Sequence, residues 1–150
     1  MKRRPLLISL LISLGTGVIA GFFTSSGTAQ YGEMYHPPLL PPGWVFPIVW
    51  LILYTLMGLA AYRIYLKRPK AEALKLYLIQ LGVNFFWPIL FFNLHCYWFS
   101  FFWLILLWYL VYLTVKEFTK IDRKAGYMLV PYLLWITFAL YLNLAIALHR

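Results

Sequence analysis

Amide and aromatic side chains recur at helical spacing in two apolar stretches of the chain. Gln80, Asn84 and Trp87 follow one another at offsets of four and three residues, which places both amides and the indole on one helix face. Trp135 and Asn143 share a face of a later helix in the same way. A buried amide in hydrocarbon must find a hydrogen-bond partner, so we expect Asn84 and Asn143 to point inward.

An earlier stretch carries an aromatic stripe, in which Phe46, Trp50 and Tyr54 recur every four residues. Aromatic rings with a few polar groups are typical of small-molecule pockets. Amides also join membrane helices, however, and tryptophans often mark the headgroup region. Spacing alone therefore leaves a ligand pocket and interhelical packing equally open. Other tryptophans fit headgroup anchors or lipid-facing rings, namely Trp44, Trp98 and Trp108.

The sequence lacks a pattern for acid–base, nucleophilic or metal-dependent catalysis. Charged groups inside a membrane are costly and usually functional, yet all four carboxylates lie in predicted loops or at predicted helix ends. The single cysteine, Cys96, excludes an internal disulfide and a thiolate metal cage. The histidines have no metal-binding spacing, so we predict no metal site. These carboxylates and histidines are Glu33, Glu72, Glu117, Asp122, His36, His95 and His149.

The elements that carry these residues are predicted to be membrane helices. Of 150 residues, 63% are hydrophobic and 11% are charged, whereas soluble domains carry about 45–50% apolar and about 25% charged residues. A helix crosses the bilayer core with about 20 apolar residues. We therefore predict one all-α transmembrane domain over residues 1–150, an integral membrane bundle of five helices. The spans are 6–23, 44–66, 74–92, 97–115 and 127–148, and the long loop 24–43 is the main connection.

The distribution of positive charge predicts the orientation of this bundle. Five spans place the N-terminus and the loops 67–73 and 116–126 on one side, where every Lys and Arg except Arg150 is found. By the positive-inside rule, the N-terminus is cytoplasmic and the C-terminus lies outside. The net charge of +9 thus serves topology and contact with anionic lipid headgroups, and we predict no nucleic-acid partner.

The first span has an alternative interpretation. The start of the chain resembles a cleavable signal peptide, because a basic segment, Lys2-Arg3-Arg4, is followed by an apolar run and by the small residues Gly27-Thr28-Ala29. The apolar run is longer than usual for such a peptide, so we favour a retained helix. Small residues recur along it every four positions and predict close approach to another helix, either within the bundle or across a dimer. They are Ser9, Ser13, Gly17, Gly21 and Ser25.

Three ordered motifs resemble those of the tryptophan-rich sensory protein/translocator protein (TspO) family, formerly the peripheral-type benzodiazepine receptor family. The first is the run Pro41-Pro42-Gly43-Trp44-Val45-Phe46-Pro47-Ile48-Val49-Trp50, continued by Leu53-Tyr54 and Met57-Gly58. The second comprises Gln80-Leu81, Asn84, Trp87-Pro88 and Phe91-Phe92. The third comprises Pro131-Tyr132, Trp135, Phe138-Ala139 and Leu142-Asn143. Together they cover nearly the whole chain.

The resemblance implies a bacterial member of this family, in the inner cell membrane, usually as a homodimer. It implies a receptor or sensor that binds porphyrins such as protoporphyrin IX and similar hydrophobic ligands, with no cofactor required. The loop 24–43 would act as a lid. The implied ligand-binding residues are Tyr31, Pro41, Pro42, Phe46, Trp50, Asn84, Trp87, Trp135, Ala139 and Asn143.

Enzymatic activity is an open question in this interpretation. Some bacterial relatives are reported to break down protoporphyrin in light, and Trp50 and Trp135 would then be the reacting residues. The alternative function is transport of porphyrin or another amphipathic molecule. Animal members carry a sterol-recognition segment in which a Tyr follows the Leu-Asn pair; here Leu144 follows Asn143, so the resemblance does not extend to sterol binding at that site.

Overall fold

The computed structural model describes residues 3–28 and 44–149, and these residues form helices with short connections. The elements are α1 (Arg3–Thr28), α2 (Val45–Lys67), α3 (Glu72–Pro88), a π-helical turn (Ile89–Asn93), α4 (Tyr97–Ile121), α5 (Arg123–Met128) and α6 (Val130–Leu148). Five helical segments are long and apolar enough to cross a membrane, with α3 continuing through the π turn and α5 continuing into α6. The predicted all-α membrane bundle is thereby confirmed.

Several helices extend beyond the apolar stretches that predict them. α1 begins at Arg3 and α4 continues to Ile121. Basic side chains explain these extensions, because Lys and Arg keep the charged group in the headgroup region while their methylene stems cover apolar surface. α1 also continues to Thr28, so part of the predicted lid 24–43 is helical. The rest of that loop, residues 29–43, lies outside the described residues.

The helices pack in an order that differs from their order in the chain. α1 lies against α2 and α3, α3 lies against α4, and α4 lies against α6. Aromatic side chains, rather than close backbone packing, connect α2 with α6. Large apolar residues on the outer faces are exposed, as expected for a lipid-facing surface. Side-chain contacts therefore determine how α2 and α6 lie relative to each other.

Small residues bring α1 and α2 into close contact. Ser9 donates a hydrogen bond to the carbonyl oxygen of Gly58 at 2.7 Å. A Cβ atom at Gly58 would lie 2.6 Å from Ser13 Oγ, and one at Gly17 would lie 2.5 Å from the Tyr54 ring. Ser9, Ser13 and Gly17 thus serve packing inside the bundle. Gly21, the next small residue, has open space around its Cβ position.

A π-helical turn follows Pro88 and changes the direction of side chains at the end of α3. Pro88 has no N–H to donate, and the amide of Leu94 bonds to Ile89 O at 3.0 Å to close the wider turn. Successive residues Phe91 and Phe92 are consequently both buried. The turn therefore directs additional aromatic rings into the bundle.

A buried carboxylate, Asp122, holds the C-terminal end of α2 in place. Asp122 caps α5 by accepting from the backbone N–H of Lys124 at 3.1 Å, and it accepts from Arg63 Nε at 2.7 Å. Lys67 Nζ lies 3.7 Å from the same carboxylate. Burial alone would raise the pKa of Asp122, but the hydrogen bond and charge of Arg63 hold it below its usual range. The ion pair joins α2 to the α4–α5 turn.

Candidate ligand-binding site

A buried hydrogen-bond network links α2, α3 and α6. Tyr54 donates to Asn84 Oδ1. Asn84 Nδ2 donates to Tyr132 Oη at 2.7 Å, and Tyr132 donates to Gln80 Oε1 at 2.7 Å. All four side chains are at most 5% exposed. This inner network satisfies both ends of the Asn84 amide, which confirms that Asn84 points inward and shows that it connects helices.

An aromatic cluster, consisting of Phe46, Trp50, Trp135 and Phe138, lies between α2 and α6. The centroid of the Trp135 ring is 5.7 Å from that of Phe46, 6.4 Å from that of Trp50 and 5.5 Å from that of Phe138. The two indoles meet edge to face, at an interplanar angle of 89°. Such pairs are stabilised by the quadrupoles of their rings. The chemistry that the cluster offers is therefore stacking and dispersion between aromatic rings.

The aromatic cluster contacts the inner network through Trp50. The ring centroid of Trp50 lies 5.5 Å from that of Tyr54 and 6.4 Å from that of Tyr132. The hydroxyls of these two tyrosines both bond to Asn84. A change in the position of Trp50 would therefore act on the hydrogen bonds that connect α2, α3 and α6.

A second polar group, the outer network, connects α3, α4 and α6. Trp87 Nε1 donates to Asn143 Oδ1 at 3.0 Å, and Ser100 Oγ donates to the same oxygen at 3.1 Å. Asn143 Nδ2 donates to the carbonyl oxygen of Tyr97 at 2.9 Å. The Trp87 ring also stacks on Phe91 at 5.2 Å. Asn143 points inward as expected, and protein groups occupy both ends of its amide.

The chemistry available at these sites is that of neutral groups. Residues 45–62, 76–93 and 127–148 contain no Asp, Glu, Lys or Arg. In the part of the chain that the structure describes, no three His, Cys, Asp or Glu side chains come together as a metal site. Stacking, dispersion and hydrogen bonding by amides, hydroxyls and indoles are thus what these residues offer a ligand.

The sequence matches the family model described as the TspO/MBR family over residues 8–149. The chain belongs to this family. Similar proteins include the tryptophan-rich protein TspO of Chlorobaculum tepidum, 32% identical over 93% of this chain and 94% of the relative. The tryptophan-rich protein TspO of Archaeoglobus fulgidus is 36% identical over 97% of each chain. The translocator protein of Ovis aries is 33% identical over 87% of this chain and 78% of the relative.

The structure of this TspO/MBR member divides the predicted binding residues into groups. Phe46, Trp50 and Trp135 meet in the aromatic cluster, whereas Asn84 belongs to the inner network. Trp87 and Asn143 bond to each other in the outer network. The remaining predicted residues are Ala139, which is buried on α6 between Trp135 and Asn143, and Tyr31, Pro41 and Pro42, which lie outside the described residues.

Several partners of these residues were not among the predicted site residues. Tyr54 and Tyr132 complete the inner network, and Ser100 completes the outer one. Both tyrosines stand in the motifs that resemble the family, but spacing along one helix does not show which hydroxyl on another helix reaches an amide. Ser100 had no sequence signal beyond being a polar residue within an apolar stretch.

Two tryptophans on α4 connect helices outside the candidate site. Trp108, which fitted a headgroup anchor or a lipid-facing ring, donates through Nε1 to Thr137 Oγ1 on α6 at 2.8 Å. Trp103 donates to the carbonyl oxygen of Val83 on α3 at 2.8 Å. Trp44 and Trp98 are exposed, in agreement with the predicted surface position. The α4 tryptophans therefore supply matched controls for the indoles of the aromatic cluster.

Proposed function

We propose that this TspO/MBR membrane protein is a receptor or sensor that binds porphyrins, such as protoporphyrin IX, and similar hydrophobic molecules at the aromatic cluster. The observation that carries the proposal is the meeting of Phe46, Trp50 and Trp135 between α2 and α6, where side chains rather than backbones connect the helices. A porphyrin is a flat aromatic molecule of the class that such rings stack against. We further propose a homodimer in a bacterial inner membrane with a cytoplasmic N-terminus.

The bonding of the amides assigns them a supporting role in this proposal. Asn84 is tied to Tyr54 and Tyr132, and Asn143 is tied to Trp87 and Tyr97. The amides therefore hold the helices that carry the rings. Shape and stacking then select the ligand, a mode of recognition that admits several unrelated hydrophobic molecules.

Light-dependent breakdown of a bound porphyrin is a second candidate activity. An illuminated porphyrin passes its excitation to dissolved dioxygen, which is the oxidant, and the reactive oxygen species formed oxidise the porphyrin and nearby indole rings. The rings of Trp50 and Trp135 are adjacent, with centroids 6.4 Å apart. Such a reaction needs no acid–base residue, in agreement with the uncharged stretches that line the site. Transport is the alternative function, but these same stretches offer no charged group for ion coupling.

Binding is tested by titrating protoporphyrin IX in the dark into the detergent-purified protein, with tryptophan fluorescence and porphyrin absorbance as readouts. Trp50→Phe and Trp135→Phe keep an aromatic ring but reduce its area and quadrupole. We expect each to raise Kd about two- to tenfold, the equivalent of about 0.5–1.5 kcal/mol. Trp108→Phe serves as the matched control and should leave Kd unchanged.

Two outcomes would contradict the proposal. Porphyrin could bind no better than it does to empty detergent micelles, or both cluster variants could bind as tightly as the original protein. Repeating the titration under illumination tests breakdown, since loss of porphyrin absorbance in the original protein must then disappear in the Trp50→Phe or Trp135→Phe variant. Sealed vesicles that accumulate porphyrin only when they contain the protein would instead support transport.

A further inference from the structure

The inner network ends in polar atoms that have no protein partner. Gln80 Oε1 accepts from Tyr132, whereas Gln80 Nε2 makes no hydrogen bond. The hydroxyl of Tyr77, one helical turn earlier on α3, also makes none. Gln80 is 1% exposed and Tyr77 is 3% exposed, so neither group is reached by bulk solvent or lipid headgroups. Polar atoms left unpaired in a membrane interior are costly.

Turning the Gln80 amide does not remove the problem. With its two ends exchanged, the nitrogen would face Tyr132 Oη and the oxygen would take the unpaired position. The hydroxyl of Tyr132 would then also lose the acceptor for its proton. One atom of the amide stays without a partner in either orientation, and the missing group must be able to donate or to accept a hydrogen bond.

The unpaired groups lie in one buried region. Tyr77 and Gln80 are three residues apart on α3, so their side chains lie on the same face of that helix, one turn apart. Ser13 on α1 lies beside the Tyr77 hydroxyl, but Ser13 Oγ donates to Leu10 O at 3.3 Å and does not form a well-aligned bond to Tyr77. Ser13, Tyr77 and Gln80 are all buried, so α1 and α3 contribute polar side chains to the interior of the bundle.

We propose that this region binds one ordered water molecule, held by the Gln80 amide, the Tyr77 hydroxyl and the Ser13 hydroxyl. Three polar partners are the usual number for a buried water. Water both donates and accepts, so it satisfies the Gln80 amide in either orientation. The hydrogen bonds between α3 and α6 at this depth are made by side chains.

This water completes the polar layer on which the aromatic cluster rests. Trp50 packs on Tyr54 and Tyr132, and the Tyr132 hydroxyl bonds to Gln80, which holds the water. The site does not depend on porphyrin binding, because no ligand takes part in it. It adds a non-protein component to the polar connection that joins α1 with α2, α3 and α6.

The test is a high-resolution crystal structure of the full-length, ligand-free protein, obtained in two detergents with different headgroups. We expect a single spherical density peak within about 3.2 Å of both the Gln80 amide and Tyr77 Oη, present in both detergents. An empty site in a map that resolves both side chains would overturn the proposal. So would elongated density continuous with a detergent or lipid chain, because the hydrogen-bond partner of Gln80 and Tyr77 would then be a group of an amphipathic molecule.

Infrared difference spectroscopy in H₂¹⁶O and H₂¹⁸O identifies the water directly. A buried water gives an isotope-sensitive O–H stretching band, which we expect to shift or disappear in Tyr77→Phe and in Ser13→Ala. Both variants remove one hydroxyl without adding atoms, so they should fold, and retained helical circular dichroism verifies this. Tyr109→Phe, on the exposed face of α4, should leave the band unchanged. A band that neither Tyr77→Phe nor Ser13→Ala alters would refute the assignment.

Discussion

Replacing Gly17 by alanine should weaken the bundle through a ring of the inner network. A Cβ atom at this position would lie 2.5 Å from Cδ2 and 2.6 Å from Cε2 of Tyr54. The Tyr54 ring cannot move aside freely, because it is buried, packs on Trp50 and donates to Asn84. Either α1 moves outward or the Tyr54 hydroxyl leaves Asn84.

The magnitude follows from three opposing contributions. Overpacking of this kind costs about 1–3 kcal/mol, and an interhelical hydrogen bond in a membrane protein contributes about 0.6 kcal/mol. In the opposite direction, alanine in place of glycine stabilises a helix by roughly 0.5–1 kcal/mol. We expect Gly17→Ala to lower the free energy of unfolding by about 1–3 kcal/mol in total.

Gly15→Ala is the matched control, since a Cβ atom at Gly15 meets nothing within 4 Å. This variant should be as stable as the original protein or up to about 1 kcal/mol more stable. Unfolding in mixed micelles of increasing dodecyl sulfate content, followed by circular dichroism, measures both. If Gly17→Ala unfolds at the same dodecyl sulfate fraction as Gly15→Ala, the close contact of α1 with Tyr54 is refuted.

Two further stability predictions test polar contacts. Tyr132→Phe removes a donor and an acceptor from a buried position and should lower the free energy of unfolding by about 1–3 kcal/mol, whereas Tyr109→Phe should have no effect in the same assay. Because the pKa of Asp122 is held below its usual range, its stabilising contribution is complete above about pH 4 and is lost as the pH falls through the native pKa. Thermal unfolding of Asp122→Asn should accordingly occur at a lower temperature than that of the original protein at pH 7, and the difference should shrink towards pH 3. An equal difference at both pH values would argue against the ion pair with Arg63, and Glu117→Gln, at a more exposed carboxylate, provides the comparison.

The helices were predictable because the length of an apolar stretch decides whether it crosses a bilayer. Their ends were less so. The basic residues that interrupt the apolar pattern near Lys116 and Lys120 do not interrupt the helix, since their stems remain on it while their charges reach the headgroups. The π turn after Pro88 depends on how Phe91 and Phe92 pack against the other helices, which hydropathy does not contain.

For the candidate site, the sequence predicts which face of each helix carries the site residues, but not which residues of other helices they contact. Helical periodicity placed Asn84 on the inner side of its helix, because an amide in hydrocarbon has nowhere else to find a partner. Which partner it finds depends on how neighbouring helices are rotated, and this is decided by contacts such as Gly17 against Tyr54. The ion pair between Asp122 and Arg63 could not be predicted either, because the two residues are 59 positions apart along the chain and no local pattern connects them.

In the proposed receptor function, the connection between the aromatic cluster and the polar networks would transmit ligand binding without charged site residues. A ligand that separates Trp50 from Trp135 must displace Trp50 against Tyr54 and Tyr132, whose hydroxyls are tied to Asn84 and Gln80 on α3. Tyr54 in turn lies directly against Gly17 of α1. The displacement therefore costs interhelical hydrogen bonds unless α1, α3 or α6 also moves. A ligand that binds more tightly to the displaced arrangement than to the original one would shift the equilibrium towards it, to the extent that its two affinities differ.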